Sequence, residues 1–152
     1  MKTSTYSTIV IVLAFLGLAD AAYLSDMAFT GASLTCNIAG LDGCNIVAKS
    51  TYSKVFGLPL ALYGVIFYTG FLSVFLSGLI RPHHRQFLFS AVVGLIGTIF
   101  STYFLYVQLF LIKALCIYCI GSAFVSYLLF ILTYQRYLQN KKISRIPVAE
   151  SS

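Results

Sequence analysis

The sequence predicts an all-α, polytopic membrane four-helix bundle with an extracytoplasmic cysteine loop and a short interfacial helix. Three observations carry this. Of 152 residues, 59% are hydrophobic and only 9% charged, with a mean hydropathy of +0.91, which is far more apolar than a soluble domain. Four apolar runs are each long enough to cross a bilayer, which takes about twenty helical residues. All four cysteines fall outside the middle of those runs. The net charge of +6 could report a nucleic-acid surface, but the basic residues sit singly at segment ends and form no stripe interleaved with aromatics, so no nucleic-acid partner is expected.

Taken in order, residues 7–25 form the first span, interrupted only by Asp20. A cleaved signal peptide is the rival, because Ala19-Asp20-Ala21 before Ala22 resembles a small-residue cleavage site. An aspartate is awkward there, and cleavage would leave three spans. Residues 26–57 are the one long polar connection and hold Cys36 and Cys44. Within it, Ala48 to Phe56 mixes Tyr52, Val55 and Phe56 with Lys49, Ser50 and Lys54, the pattern of a short amphipathic helix lying at the interface. Gly57 and Pro59 should end it. The second span is 58–80. Arg81-Pro82-His83-His84-Arg85 follows as a basic turn, read as solvated rather than metal-binding because adjacent histidines on a tight turn rarely share one ion. The third span, 87–112, is longer than the hydrocarbon requires, so tilt or a protruding end is expected. After a short reversal comes the fourth, 115–134. Residues 1–137 thus form the membrane domain and 138–152 a cytoplasmic tail.

Basic residues set the orientation. Lys2, Arg81, Arg85, Arg136, Lys141, Lys142 and Arg145 fall on one side, against Lys49, Lys54 and Lys113 on the other. The excess puts both termini in the cytoplasm. The cysteines then all face the periplasm or the lumen of the secretory pathway, where disulfides persist. The expected location is the inner membrane of a bacterial or archaeal cell.

Cys116-Ile117-Tyr118-Cys119 opens the fourth span. Two cysteines three apart share a helix face, and a helix N-terminus stabilises a thiolate, which is how a redox-active dithiol is built. The plainer reading is two small buried residues in a membrane helix. Cys36 and Cys44 are separated by seven residues that include Gly40 and Gly43, and such a loop could bring one thiol to a soluble partner and the other to the membrane surface for exchange. It could equally be a static staple. A four-cysteine zinc site is disfavoured, since the loop spacing is wide for one.

The order of these features resembles one family. A first helix, a Cys-x7-Cys loop, Ser50 six residues after the second loop cysteine, Phe56-Gly57-Leu58-Pro59, Tyr63-Gly64-Val65-Ile66-Phe67-Tyr68, and Cys116-Ile117-Tyr118-Cys119 opening the last helix are together similar to the vitamin K epoxide reductase family, over about residues 7–134. The resemblance implies a four-helix bundle around a quinone of the ubiquinone, menaquinone or vitamin K type, with no metal. It implies that Cys119 faces the quinone with Ser50 nearby, that Cys116 exchanges with the loop through Cys44, and that Cys36 completes the loop dithiol facing a thioredoxin-like, DsbA-like partner. Many bacterial relatives carry a fused thioredoxin-like domain that this chain lacks, so a separate polypeptide is the expected partner.

Two departures bear on substrate. The head-group asparagine and tyrosine of the animal enzymes correspond to Leu60 and Ala123, neither of which can donate a hydrogen bond from its side chain. Quinone-coupled disulfide formation is therefore favoured over vitamin K epoxide or quinone reduction in the secretory pathway. Gln108, two helical turns before Cys116, is a candidate donor to a quinone carbonyl, or an amide bonded to a neighbouring helix. Tyr63, Phe67 and Phe104 are candidates for an aromatic wall, although such residues more often serve packing or the interfacial belt. Asp20 is read as capping or snorkelling, with proton uptake by a reduced quinone the alternative. A non-catalytic four-span scaffold with a stapled loop is the competing class. The B-type Dsb disulfide oxidases are a nearer competitor, but they carry C-x-x-C in the first outer loop, the reverse of the order here.

Overall fold

The computed structural model describes residues 3–34, 43–80 and 84–143, with side chains over 5–34, 43–80 and 85–141. Cys36, the turn residues Arg81, Pro82 and His83, and the tail beyond residue 143 lie outside the described residues. Four helices are long and apolar enough to cross a membrane: α1 (Thr3–Thr30), α3 (Leu60–Ile80), α4 (His84–Tyr106, continued by a wider π-helical turn, Val107–Ile112) and α5 (Ile117–Ile143). A short helix, α2 (Gly43–Lys49), lies between α1 and α3.

α1 packs against α3 and α5, and α4 against α3 and α5, so the four long helices close into a ring. The inner stripe of α1 is Tyr6, Val10, Ala14, Gly17 and Ala21, at the three- and four-residue spacing of a helix face. It meets Tyr68, Phe71, Leu72 and Phe75 of α3 and Leu129 of α5 in one core. Large apolar side chains point the other way. Phe100, Phe110 and Phe124 are each more than 60% exposed, an arrangement that only a lipid surround makes favourable. At one end the Tyr6 hydroxyl donates to the Leu132 carbonyl at 3.2 Å, and the Arg136 guanidinium lies 5.5 Å from the Tyr6 ring centre.

α1 runs five residues beyond Ser25. The Thr30 hydroxyl donates to the Asp26 carbonyl at 2.9 Å, and Gly31, at φ 69°, returns its N–H to the Met27 carbonyl at 3.0 Å. A left-handed glycine just past the last turn is a common helix terminator.

The short helix is displaced from its expected position at Ala48 to Phe56. α2 ends at Lys49, Ser50 is extended at φ −68°, ψ 155°, and a 3₁₀ turn spans Thr51–Ser53. Lys54–Val55 (β1) then pairs antiparallel with Leu58–Pro59 (β2), Lys54 opposite Pro59 and Val55 opposite Leu58. The reason lies in the linking pair, Phe56 at φ 50° and Gly57 at φ 81°. Two consecutive positive φ values make the tight primed turn that suits a two-residue hairpin. Gly57 therefore turns a hairpin instead of stopping a helix, and Phe56 is left 96% exposed at its tip.

α4 and α5 pack closely at Gly94, where an added Cβ would lie 3.0 Å from the Phe130 Cα. Backbone cannot yield as a side-chain end can. Gly94→Val should force the two helices apart and cost roughly 1–3 kcal/mol, as overpacking does, read as a lowered thermal midpoint of the detergent-solubilised protein.

Candidate active site

The reversal between α4 and α5 is built around one buried amide. The π-helical turn ends at Lys113, whose left-handed φ of 57° lets its N–H reach the Gln108 carbonyl, and the Ala114 N–H reaches the same oxygen at 3.2 Å. π-turns often mark functional positions because the extra residue re-aims a side chain. Here Gln108, at 0% exposure, turns inward, and its Oε1 accepts the backbone N–H of Cys116 at 3.0 Å. That N–H belongs to a helix start and has no partner within the helix.

Cys116 stands immediately before α5, and its carbonyl accepts the Ile120 N–H at 3.0 Å, opening the helical ladder. Cys119 lies in the first turn. Both are free thiols, Cys116 buried and Cys119 half-buried. Just outside the span Ile117–Lys141, the Cys116 thiol is pulled down to about 7 by its hydrogen bond with the Cys119 side chain, aided by the backbone N–H groups of Cys119 and Tyr118 and opposed by burial and the Asp20 carboxylate. Such a thiol is substantially ionised near neutrality, the state that attacks a disulfide.

The loop side meets it directly. Cys44 is disulfide-bonded and fully buried, in one cluster with Leu34 and Cys116, against which Cys119, Tyr118, Tyr23, Leu24, Met27 and Val47 also pack. Two features that the sequence did not signal as part of the site bring it there. Gly43 lies so close to the Leu115 carbonyl that any Cβ would collide with it, so α2 can sit over the start of α5 only with glycine at this position. Asn45 closes the loop from the other side, its Oδ1 accepting the Leu34 N–H at 2.8 Å and its Nδ2 donating to the Leu34 carbonyl at 3.1 Å. A glycine and an asparagine in a polar loop read as turn chemistry, which is why they were missed.

The remaining candidates are placed individually. Ser50 donates its hydroxyl to the Val47 carbonyl at 2.7 Å, finishing α2. The Tyr63 hydroxyl donates to the Val55 carbonyl at 3.0 Å, tying the hairpin to α3. Phe67 packs edge-on to Tyr68, with ring centres 5.0 Å apart, in the space that Gly97 leaves open. Phe104 is half-buried and edge-on to Tyr103 at 5.8 Å. Of the candidates among the described residues, the structure brings together Cys44, Cys116, Cys119 and Gln108.

The Cys116 environment makes a pH prediction. Alkylation of the reduced protein by iodoacetamide should show a Cys116 midpoint near 7, below the ordinary thiol value of about 8.5. Cys119→Ala, which removes the main hydrogen-bond donor, should move that midpoint up; mass spectrometry of the labelled peptide reads both.

Residues 8–134 match the vitamin K epoxide reductase family. Among curated proteins, the thiol-disulfide oxidoreductase LTO1 of Arabidopsis thaliana is 35% identical over 123 residues, which cover 75% of this chain and 32% of that protein. The chain thus spans about a third of the length of this relative. With the family's extent matching the four long helices and the cysteine-bearing segment between the first two, the chain belongs to the vitamin K epoxide reductase family, as an integral membrane protein.

Proposed function

We propose that the chain is a thiol-disulfide oxidoreductase that oxidises a thioredoxin-like partner and passes the electrons to a membrane quinone. The observation that carries this is the burial of Cys44 and Cys116 in one cluster, at the end of the bundle where α5 begins. The relative named for thiol-disulfide exchange supports the chemistry. The cysteines then lie on the periplasmic or lumenal side and both termini in the cytoplasm.

The relay runs in balanced steps. A reduced partner gives two electrons to the Cys36–Cys44 disulfide and is itself oxidised to a disulfide, leaving the loop as a dithiol. The Cys44 thiolate attacks Cys116 of the Cys116–Cys119 disulfide, forming a Cys44–Cys116 bond and releasing Cys119. Cys36 then attacks Cys44, which restores the loop disulfide and frees Cys116. A loop disulfide with two free thiols below it, the pattern at Cys44, Cys116 and Cys119, corresponds to this last state. A quinone bound against Cys119 supplies the acceptor for two electrons and two protons and so regenerates the Cys116–Cys119 disulfide.

Gln108 suits a double role. Its oxygen holds Cys116, while its Nε2 is buried without a hydrogen-bond partner among the described residues. A quinone carbonyl beside the Cys119 sulfur would satisfy it, as an unpaired buried donor requires. Ser50, Tyr63, Phe67 and Phe104 remain the proposed further contacts.

The test is to mix the purified chain with a reduced DsbA-like protein and ubiquinone and to follow quinone absorbance. Cys36→Ala and Cys44→Ala should block oxidation of the partner yet leave quinone reduction by dithiothreitol intact, whereas Cys116→Ala and Cys119→Ala should stop both. Unchanged absorbance with the four variants alike would favour the scaffold. Gln108→Leu should raise the quinone KM roughly tenfold, the loss of about one hydrogen bond; an unaltered KM removes Gln108 from the quinone site. Gly43→Val, which drives a side chain into the Leu115 carbonyl, should slow loop-to-dithiol exchange while sparing direct reduction of Cys116–Cys119 by dithiothreitol, read by stopped-flow with each reductant.

A further inference from the structure

Asp20 has no part in the relay, yet Tyr23 and Leu24, three and four residues further along α1, pack against the cysteine cluster. It stands one turn after Gly17 and next to Ala21 on the face of α1 that meets α3. The Tyr68 ring occupies the place of a Gly17 side chain, and the Ala21 Cβ lies 3.0 Å from where a Cβ on Gly64 would be. From α3 the buried Tyr68 hydroxyl crosses to α5, where it hydrogen-bonds the Ser122 hydroxyl at 2.9 Å and carbonyl at 3.0 Å and the Ser126 hydroxyl at 3.3 Å. Ser122 and Ser126 follow Cys119 at i+3 and i+7, on one face of α5. A polar file thus descends from the dithiol into an apolar bundle.

The Asp20 carboxylate acts electrostatically on Cys116, Cys119 and Tyr118 of α5 and on Tyr68 of α3. Tyr23, on its own helix, stacks at a tilt on Tyr118 with ring centres 5.5 Å apart, and α4 contributes the uncharged Gln108. Among the described residues, no cation acts on Asp20. Its Oδ2 is buried without a hydrogen-bond partner among the described residues. A carboxylate oxygen buried within a span without a partner is costly and calls for a reason, and the reactive groups within its field include two thiols.

We propose that Asp20 is the proton acceptor for the Cys116–Cys119 dithiol. The inference rests on reading these cysteines as a redox couple, but not on the identity of the oxidant. On oxidation two S–H bonds break and one S–S bond forms; two electrons pass to the oxidant, and two protons leave the sulfurs. The Cys116 proton leaves to water as that thiol ionises, and the reduced oxidant regains one proton from water; Asp20 takes the Cys119 proton and passes it to the reduced oxidant as its second. On reduction of the disulfide the transfer reverses. Tyr68, held by Ser122 and Ser126, keeps a fixed dipole beside the carboxyl and is a positioning residue.

The test uses the full chain in detergent with Asp20→Asn and Asp20→Glu, oxidising the reduced dithiol in parallel with ubiquinone-1 and with oxidised glutathione, and following Cys116 alkylation by iodoacetamide against pH. Proton transfer predicts that Asp20→Asn slows oxidation by roughly 100-fold with either oxidant, the scale of general-base catalysis, that Asp20→Glu restores most of the rate, and that the alkylation midpoint does not rise. A carboxylate acting only through its charge predicts the same direction for the midpoint but the opposite for the rate, because removing a nearby negative charge favours the thiolate and speeds attack. Oxidation of Asp20→Asn at or above the parent rate overturns the proposal, as does a Glu variant no better than Asn. If Asp20→Asn does not fold, the parent and Asp20→Glu decide: an acid limb in the parent pH–rate profile, displaced by the glutamate, supports the assignment, and coincident profiles overturn it. If ubiquinone-1 fails to oxidise even the parent while oxidised glutathione retains the aspartate dependence, the quinone reading falls and the Asp20 assignment stands.

Discussion

One hydrogen bond, from the Cys116 N–H to the Gln108 side chain, connects the bundle to its chemistry. It joins the end of one membrane helix to the start of the next across a four-residue connection, and it satisfies a backbone donor that water cannot reach. The π-helical turn exists in service of it, since a regular α-helical ending would present Gln108 at a different angle. With this amide in place Cys116 stands just before α5 and Cys119 in its first turn, where backbone N–H groups face Cys116. The same burial that makes the bond strong makes its loss expensive.

The loop is fitted to that turn, not merely tethered near it. Gly43 lets α2 touch the carbonyl before Cys116, Asn45 holds Leu34 on both its backbone groups, and the hairpin at Phe56–Gly57 returns the chain to α3 with Tyr63 bonded to Val55. Each contact restrains one side of Cys44. Together they form a cap whose apolar underside is continuous with the cysteine cluster, while the lipid-facing surface stays apolar. Small residues do the close packing below. Gly17 accommodates Tyr68, Gly97 accommodates Phe67 and Gly94 brings α4 against α5, in keeping with helix association in lipid, where van der Waals contact replaces the hydrophobic effect.

Much of this was legible beforehand. Composition and run length settle four membrane helices, because a bilayer accepts few alternatives, and the cysteine spacing with Ser50 and the Phe56–Pro59 segment pointed to the family that the chain matches. The short helix was misplaced by several residues, since Tyr52, Val55 and Phe56 satisfy an amphipathic pattern whether the backbone is helical or turned. Gln108 stood out as an amide in an apolar run, yet its bond to a backbone eight residues later depends on a π-turn that no periodicity announces. Tyr68 entered only as the end of a motif, and Ser122 and Ser126 gave no signal at all. A tyrosine and two serines in a span are ordinary until they are found touching.

By itself, then, the sequence determined the medium, the number of crossings and the chemical groups available, because hydrophobicity, length and cysteine content are local quantities. Only the tertiary structure decided which of those groups meet. That Cys44 lies on Cys116, that Gln108 holds the dithiol, and that the Asp20 carboxylate on the first helix sends its field into the last all follow from helix crossings and glycine contacts between segments as many as a hundred positions apart. Packing is a property of pairs of surfaces, and a single strand of letters carries it only implicitly.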